Sequence, residues 1–407
     1  MPSAITLAPK KHLHTGRSVW SANPHRPFAV RHLGKSLRCD VAIVGAGISG
    51  AFMADELSRH YRDVVMLDRR APATGSTHAS TAMLQFEIDT PLTALSDRIG
   101  VQKAQRAWQI SYRATQRLIR LVQQERIACD LEKRDSLYLT GDSLGWRGMK
   151  QEALARNRAG LTCTYLTGRA LAARFGIART GAILSTGSAI ADPVALAHGL
   201  LRRARGRGAR VFASVDVRDV MSTRHGVMLD AGTHFVEARH VVFCTGYEVI
   251  PGLMQPGSKI TSSWAAATPP AAAYPEWLNR TLVWEAAEPY LYMRTDGKGR
   301  LIVGGEDADL DSPSYRAETL DAKARRLAGK TRRLLGVEPE WNHVWAGAFG
   351  ESVDGLPTIG EVPGLKGCFT VMGFGGNGTI YALIAAGLMP ALLKGRVSAD
   401  ASLFAFR

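Results

Sequence analysis

No run of about eighteen apolar residues is free of charge, so the sequence offers no candidate membrane-spanning helix. The N-terminal stretch "MPSAITLAPKKHLHTGRSVWSANPHRP" lacks an apolar centre of signal-peptide length and is expected to form a surface arm, residues 1–37, ahead of the first strand. Cysteine is sparse: Cys39, Cys129, Cys163, Cys244 and Cys368 are odd in number, scattered, and form no C-x-x-C pair. A disulfide framework is thereby excluded, zinc ligation has no support, and a reducing, cytoplasmic setting is expected. There is no internal repeat and no low-complexity tract. Nor is there a basic stripe interleaved with aromatics, so no nucleic-acid partner is expected despite a net charge of +15. The densest basic cluster, "LRRARGRGARV" at 201–211, reads as the polar end of a helix running into a glycine turn.

What remains is ordinary globular material. The chain has 407 residues, 46% hydrophobic and 21% charged, enough for one large domain or two interleaved ones. Residues 39–70, "CDVAIVGAGISGAFMADELSRHYRDVVMLDRR", read strand, glycine turn, helix, strand. A long helical segment is predicted from about Leu92 to Ile127, and a strand at 135–141. A second helix-then-strand unit opens at Pro193, a hairpin and apolar strand occupy 226–246, and strands dominate 258–307. A charged helix at 317–336 precedes a closing glycine cluster and an apolar helix. Strands alternating with helices at both ends, around a strand-rich middle, predict a nucleotide-binding α/β domain interrupted by a second domain.

Gly45-Ala46-Gly47-Ile48-Ser49-Gly50 lies between the first strand and the first helix, the context in which such a loop cradles a dinucleotide pyrophosphate. Gly45 permits the tight turn, Gly47 lets the phosphates approach, and Gly50 lets the helix pack closely. Asp68 ends the second strand, placed to accept from ribose hydroxyls and to repel a 2′-phosphate, so NADP is disfavoured. FAD and NAD both remain open on these residues alone.

Near the C-terminus, "MGFGGNGT" at 372–379 packs four glycines into six positions before the apolar run "IYALIAAGLMPALLKG". Together with "GSTHASTAM" at 75–83, "HVVFCTG" at 240–246 and "DGLPTIG" at 354–360, this pattern resembles the D-amino-acid oxidase superfamily of flavoproteins, which contains glycine oxidase, monomeric sarcosine oxidase and the γ-glutamylputrescine oxidoreductases. Ser18-Val19-Trp20 echoes the N-terminal arm of the last branch, and the resemblance runs from about residue 17 to residue 396. It implies an α/β architecture: a Rossmann-like FAD-binding domain (38–93, 168–252, 345–400) interleaved with an α+β substrate domain on a mainly antiparallel sheet (94–167, 253–344). It also implies non-covalent FAD. A nicotinamide cofactor needs one phosphate cradle, whereas FAD carries a flat ring whose pyrimidine edge gains charge on reduction, and a helix N-terminus with bare backbone donors suits that edge.

The cofactor-contacting residues so implied are the fingerprint loop, Asp68 and Arg69, then Ser76, Thr77, His78, Ala79, Ser80, Thr81 and Met83. Val217, Thr245 and Gly246 follow, and Gly373, Phe374, Gly375, Gly376, Asn377, Gly378 and Thr379 complete the set. The implied activity is oxidation of a C–N bond of an amine or N-substituted amino acid, with hydride passing to flavin N5, the imine hydrolysed, and O2 or another acceptor taking the electrons. The alternatives are a dehydrogenase serving a quinone or partner protein, and a non-catalytic flavin subunit. Phe349 stands where glycine oxidase-like enzymes place a carboxylate-clamping arginine; Arg294 is the substitute candidate, with Tyr290, Tyr292, Trp345 and Phe349 as substrate walls. Ile302 takes the place of an oxygen-activating lysine, and Gly347 lies near that of a flavin-bonding cysteine.

Overall fold

The computed structural model describes residues 4–23, 25, 28–373 and 375–406. The apolar run Val41 to Val44 lies in the strand Leu37–Val44, at the heart of a nine-stranded sheet. Val64–Asp68 and then Arg210–Ala213 pair with it in parallel on one side, and Phe235–Phe243 on the other. Such strands are buried on both faces, which is why they read as unbroken apolar runs. Val41 and Ile43 face the helices Ile48–Leu57, Pro193–Gly206 and Gly378–Leu392, while Ala42 and Val44 face Val217, Val220 and Leu229 on the opposite side. The free edge of Phe235–Phe243 is shared: its first half takes the antiparallel strand Gly226–Asp230, and its second half takes Cys368–Met372 in parallel.

The second sheet has ten strands and is mainly antiparallel, as expected; among the described pairings in it, only Thr281–Glu285 against Glu132–Leu139 is parallel. Period-two alternation sorts its side chains. Trp264 and Ala266 pack with Leu327 and Leu334 of the helix Leu320–Leu335, while Ala265, Ala267, Ile302 and Trp345 join the core shared with the first sheet.

Three sequence-based expectations are corrected. The long helix is two helices, Leu92–Ile99 and Val101–Gln124, because Gly100 adopts φ +87° and turns the chain between them. The domain limits shift: Gly181–Ile190 and His343–Glu351 were expected on or across the nucleotide-binding side of the boundaries at 168 and 345, yet both pair into the second sheet.

The arm is not a surface appendage. Ala4–Thr6 pairs antiparallel with residues 219–221 at the edge of the first sheet, and His14–Gly16 pairs with residues 345–347 at the edge of the second. Val19 and Trp20 are buried, and Trp20 Nε1 donates to the Ser80 carbonyl at 2.7 Å. Two sheet edges and an indole pocket are enough to order a chain whose composition alone reads as polar. Replacing Trp20 with alanine deletes that anchor and leaves the Ser80 carbonyl without its donor. The Trp20→Ala protein is expected to lose about 3–5 kcal/mol of stability, measured by denaturant unfolding, and a loss under about 1 kcal/mol would contradict the anchoring role.

Candidate active site

Between the two sheets lies a cavity of about 270 Å3 whose lining includes both the first glycine loop and the second. Gly45 has φ +106°, and a Cβ there would lie 2.3 Å from the Cys244 carbonyl oxygen. A Cβ on Gly50 would lie 1.9 Å from the carbonyl oxygen of Gly45 itself, so the third glycine lets the helix close on its own loop. Gly47 caps the helix without a side-chain bond, leaving first-turn N–H groups for a ligand. Thr77 Oγ1 accepts the Ile48 N–H at 2.9 Å and ties the second loop to that helix. Ser76 lines the cavity and its buried hydroxyl has no partner. An orphaned hydroxyl beside a helix N-terminus fits a pyrophosphate.

Asp68 accepts from Ala46 N (2.5 Å) and Arg70 N (2.7 Å) and still faces the cavity, where lone pairs remain for ribose hydroxyls. Burial raises its carboxyl above the usual range, against those two N–H bonds and the Arg70 charge. The arginines beside it are already paired. Arg70 grips Glu248 with two bonds, at 2.7 and 2.9 Å, and Arg69 Nε meets Asp216 at 2.9 Å. Burial raises Glu248, but the Arg70 bond, the Lys11 N–H and the two arginine charges outweigh it and hold the carboxyl below its ordinary value. Val217, Thr245 and Gly246 line this end, as do Leu7 and Ala8 of the arm.

At the far end, Ala79, Ser80, Thr81 and Met83 line the cavity opposite Gly375, Gly376, Gly378 and Thr379. Asp89 projects into the second glycine loop. Its Oδ2 accepts the Gly376 N–H at 2.6 Å, and Cβ atoms on Gly375 or Gly376 would lie 2.5 and 2.7 Å from its carboxylate oxygens. Those two glycines are therefore required first by Asp89. Gly378 and Thr379, which open the helix Gly378–Leu392, remain for a flavin pyrimidine edge. The wall beyond is aromatic: Tyr247, Trp284, Tyr290, Tyr292, Trp345 and Phe349. Tyr290 and Tyr292 stack with ring centroids 5.7 Å apart, Trp284 stacks on Tyr138 at 3.7 Å, and the Tyr292 ring occupies the space a Cβ on Gly304 would need. Trp345 Nε1 donates to Ala79 O at 2.8 Å, pinning the ring-side loop to the second sheet. Tyr290 donates its hydroxyl hydrogen to Asp307 at 2.9 Å.

Burial pushes the Tyr292 phenol up to about 12 and raises Tyr247 and Tyr290 further, so all three stay neutral at physiological pH. Asp89 is open to the cavity yet ringed by protein, and burial pushes it up to about 6 against the Gly376 bond, with Glu351 adding to the rise. Asp307 is likewise pushed to about 6 by burial, opposed by bonds to Ser263 and Tyr290 and reinforced by the charges of Glu351 and Asp89.

Most of the expected residues come together here; six of the described ones do not line the cavity. His78 does not line the cavity; its Nδ1 meets Ser18 Oγ at 3.0 Å and its ring stacks on His14, so it serves the arm. Arg294 is no anchor for substrate, because its buried guanidinium donates to the carbonyls of Thr81, Ala191 and Thr295 and packs over Trp20. Asn377 holds the Glu87 carbonyl from behind the glycine loop, and Gly373 lines a small adjacent cleft. Ala46 and Gly50 shape the first loop from outside the cavity, Ser49 lines it, and Phe374 lies outside the described residues. Sequence reasoning missed Asp89, Tyr247, Trp284 and the arm residues. No alternation marked Asp89 in advance: in "MLQFEID" Met83, Gln85 and Asp89 reach the cavity, but Glu87 between them is buried away from it.

Gly50→Ala places a methyl inside the loop that shapes the pyrophosphate cradle, so the purified variant is expected to keep native secondary structure by circular dichroism but carry about one-tenth or less of the normal flavin. Full flavin content would refute that reading. Asp307 binds its proton more tightly folded than unfolded, so the stability it contributes is present in acid and is lost as pH rises through about 6. Asp307→Asn, which can still accept from Tyr290, should therefore gain stability relative to the native protein between pH 5 and pH 8. Denaturant midpoints at the two pH values measure this, and an unchanged or falling difference would contradict it.

Known proteins resemble this chain in sequence and in fold. Residues 40–392 match the family described as FAD dependent oxidoreductase, DAO. The chain is 25% identical to a glycine oxidase of Geobacillus kaustophilus (strain HTA426) over 372 residues, covering 89% of this chain and 94% of that one. It is 23% identical to the γ-glutamylputrescine oxidoreductase of Escherichia coli (strain K12) over 394 residues, covering 92% and 88%. The crystal structure of the G. kaustophilus glycine oxidase superposes with a TM-score of 0.75 at 21% identity, over 91% of this chain and 98% of that one. An L-proline dehydrogenase from P. horikoshii superposes at 0.72 with 15% identity, over 91% and 97%. With the glycine cradles, Asp68 and the ring-side helix in one cavity, the chain belongs to the DAO family of FAD-dependent oxidoreductases.

Proposed function

We propose that this FAD-dependent oxidoreductase oxidises a C–N bond of an amine or N-substituted amino acid. The observation that carries the reading is that one cavity is lined both by the residues suited to the dinucleotide and by an aromatic wall, with no lysine or histidine among its described lining residues. Bound FAD supplies the hydride acceptor at N5, and the product imine hydrolyses in water.

The protein's own part is positioning and electrostatics. Gly45, Gly47 and Ser76 would hold the pyrophosphate, Asp68 the ribose, and the helix at Gly378 would place positive dipole against the ring's pyrimidine edge. Trp345 fixes Ala79 along the ring, and Gly347, whose Cβ would approach the Ala79 methyl at 3.0 Å, lets that loop lie flat on the second sheet. Trp284, Tyr290, Tyr292 and Phe349 exclude water from the reacting carbon while their neutral side chains leave the substrate nitrogen free to lose its proton.

The acceptor side favours a dehydrogenase as the second reading. Among the described lining residues there is no lysine or histidine, and Ile302 is buried away from the cavity. A cation beside the ring would assist electron transfer to O2, and its absence there predicts slow reaction with oxygen.

The test is anaerobic titration of the purified holoprotein with a panel of amines and N-alkyl amino acids, read by bleaching of the flavin band. At least one such compound is expected to bleach it. Bleaching by none, with flavin bound, would overturn C–N oxidation and favour a non-catalytic flavin subunit. Photoreduced protein is then expected to reoxidise slowly in air and rapidly with a quinone; fast reoxidation in air would identify an oxidase.

A further inference from the structure

The charges along the cavity are unevenly divided. Its charged lining residues are Asp68, Arg69, Arg70, Glu248 and Asp89. The first four sit together at the nucleotide end, where each arginine already has a carboxylate partner. Asp89 stands alone at the other end. Its one protein partner is the Gly376 N–H through Oδ2; no described cation pairs with it, and the other acids nearest it, Glu351 and Asp307, repel it. Asp89 is exposed to the solvent of the cavity, so a ligand that displaces that solvent has to bring the counter-ion itself.

The surrounding wall points the same way. Tyr247, Trp284, Tyr290, Tyr292 and Phe349 offer aromatic surface, whose ring faces attract cations. A second acid lies one layer back: Asp307 receives the Tyr290 hydroxyl hydrogen through Oδ2, and its buried Oδ1 has no hydrogen-bond partner. Among the described residues of this wall none is a cation that could clamp a carboxylate. Phe349 faces the cavity where a clamp would have to stand, and Arg294 is spent on three backbone carbonyls.

We infer that the substrate of this site is a cationic amine without a carboxylate next to the reacting carbon, and that Asp89 is the residue that seats its ammonium group. This rests on the reading of the cavity as a C–N oxidising site and narrows it: simple α-amino acids are excluded, and diamines, which offer Asp89 a second ammonium while the reacting nitrogen loses its proton, are admitted. Selection is electrostatic. An ammonium completes an ion pair with Asp89 against an aromatic wall, whereas a carboxylate brought to the same place meets three acids and no donor with a full charge. With its carboxyl near 6, Asp89 is ionised at neutral pH and ready for that role.

Two probes of similar size and opposite charge test this on the FAD-loaded protein: ethyltrimethylammonium and propionate, each titrated at fixed ionic strength and pH 7.5 while the flavin absorption band is followed. The cation is expected to bind about tenfold or more tightly than the anion, and Asp89→Asn, whose amide oxygen can still accept from Gly376, is expected to lose about tenfold or more of the cation affinity with flavin content unchanged. Propionate binding as tightly as the cation, no spectral response to the cation, or an Asp89→Asn protein that binds the cation normally would each overturn the inference. The comparison of the two probes needs no variant, so it decides the matter even if Asp89→Asn does not fold. A protein that holds flavin, prefers propionate and is bleached by N-methylglycine would sink the inference alone. A protein that holds no FAD would sink the underlying assignment, and the inference with it.

Discussion

The site depends on how closely three backbone segments meet where the parallel strands end. Gly45 N donates to the Leu67 carbonyl at 2.8 Å, Cys244 N donates to the Val44 carbonyl at 2.8 Å, and the Gly45 Cα lies so near Cys244 O that no side chain fits between them. This approach aligns the ends of Leu37–Val44, Val64–Asp68 and Phe235–Phe243, and so gathers the glycine loop, Asp68 and Thr245-Gly246 around one opening. The helix at Ile48 then closes on the loop because Gly50 leaves room for the Gly45 carbonyl. Widen any of these contacts by the radius of a methyl group and the cradle loses its shape, since backbone carbonyls, unlike flexible side chains, cannot step aside.

From that opening the cavity runs between two sheets that would otherwise be separate layers, and its length is set by what bridges them. The arm contributes an edge strand to each sheet and carries Leu7, Ala8 and Leu13 along the cavity between the two pairings. Trp20 and Trp345 donate to the carbonyls of Ser80 and Ala79, adjacent residues of one loop, so a stretch of small residues with little packing of its own is held from both sides by indoles. Arg294 adds a third hold at Thr81. A residue that looked suited to binding a ligand instead satisfies backbone groups that a loop crossing the interior would leave unpaired.

Charge divides the cavity as clearly as shape does. At the nucleotide end, arginines and acids neutralise one another, which keeps the region polar without repelling a phosphate. At the ring end a lone carboxylate sits among aromatics. Behind that wall a further buried group, Glu87, Glu152 and Arg156, braces the segment that carries Asp89: Glu152 accepts from the N–H groups of Leu92 and Thr93 at 2.8 Å each, and Arg156 lies between the rings of Trp108 and Tyr138. Tyr138 in turn stacks on Trp284 of the cavity wall. Asp89 and the Trp284 ring, which both line the cavity, are thus steadied by the same buried cluster.

The amino-acid sequence determined those features that arise within short stretches of chain. Apolar runs announced the parallel strands, three spaced glycines with Asp68 announced the dinucleotide cradle, and the four closing glycines announced a second backbone approach. The mainly antiparallel second sheet was expected from the family resemblance. Contacts between residues distant in the chain were decided only by the tertiary structure. Which sheet Gly181–Ile190 and His343–Glu351 join depends on edge pairing, which local patterning does not encode; the burial of the arm depends on two edges and a pocket supplied by segments hundreds of residues away. Gly375 and Gly376 could be recognised as glycines that something must approach, but Asp89, nearly three hundred positions earlier, became that something only when the chain had folded. Steric requirements of the backbone are written locally, whereas the partner that imposes them, and the charge it brings, belong to whatever the fold places opposite.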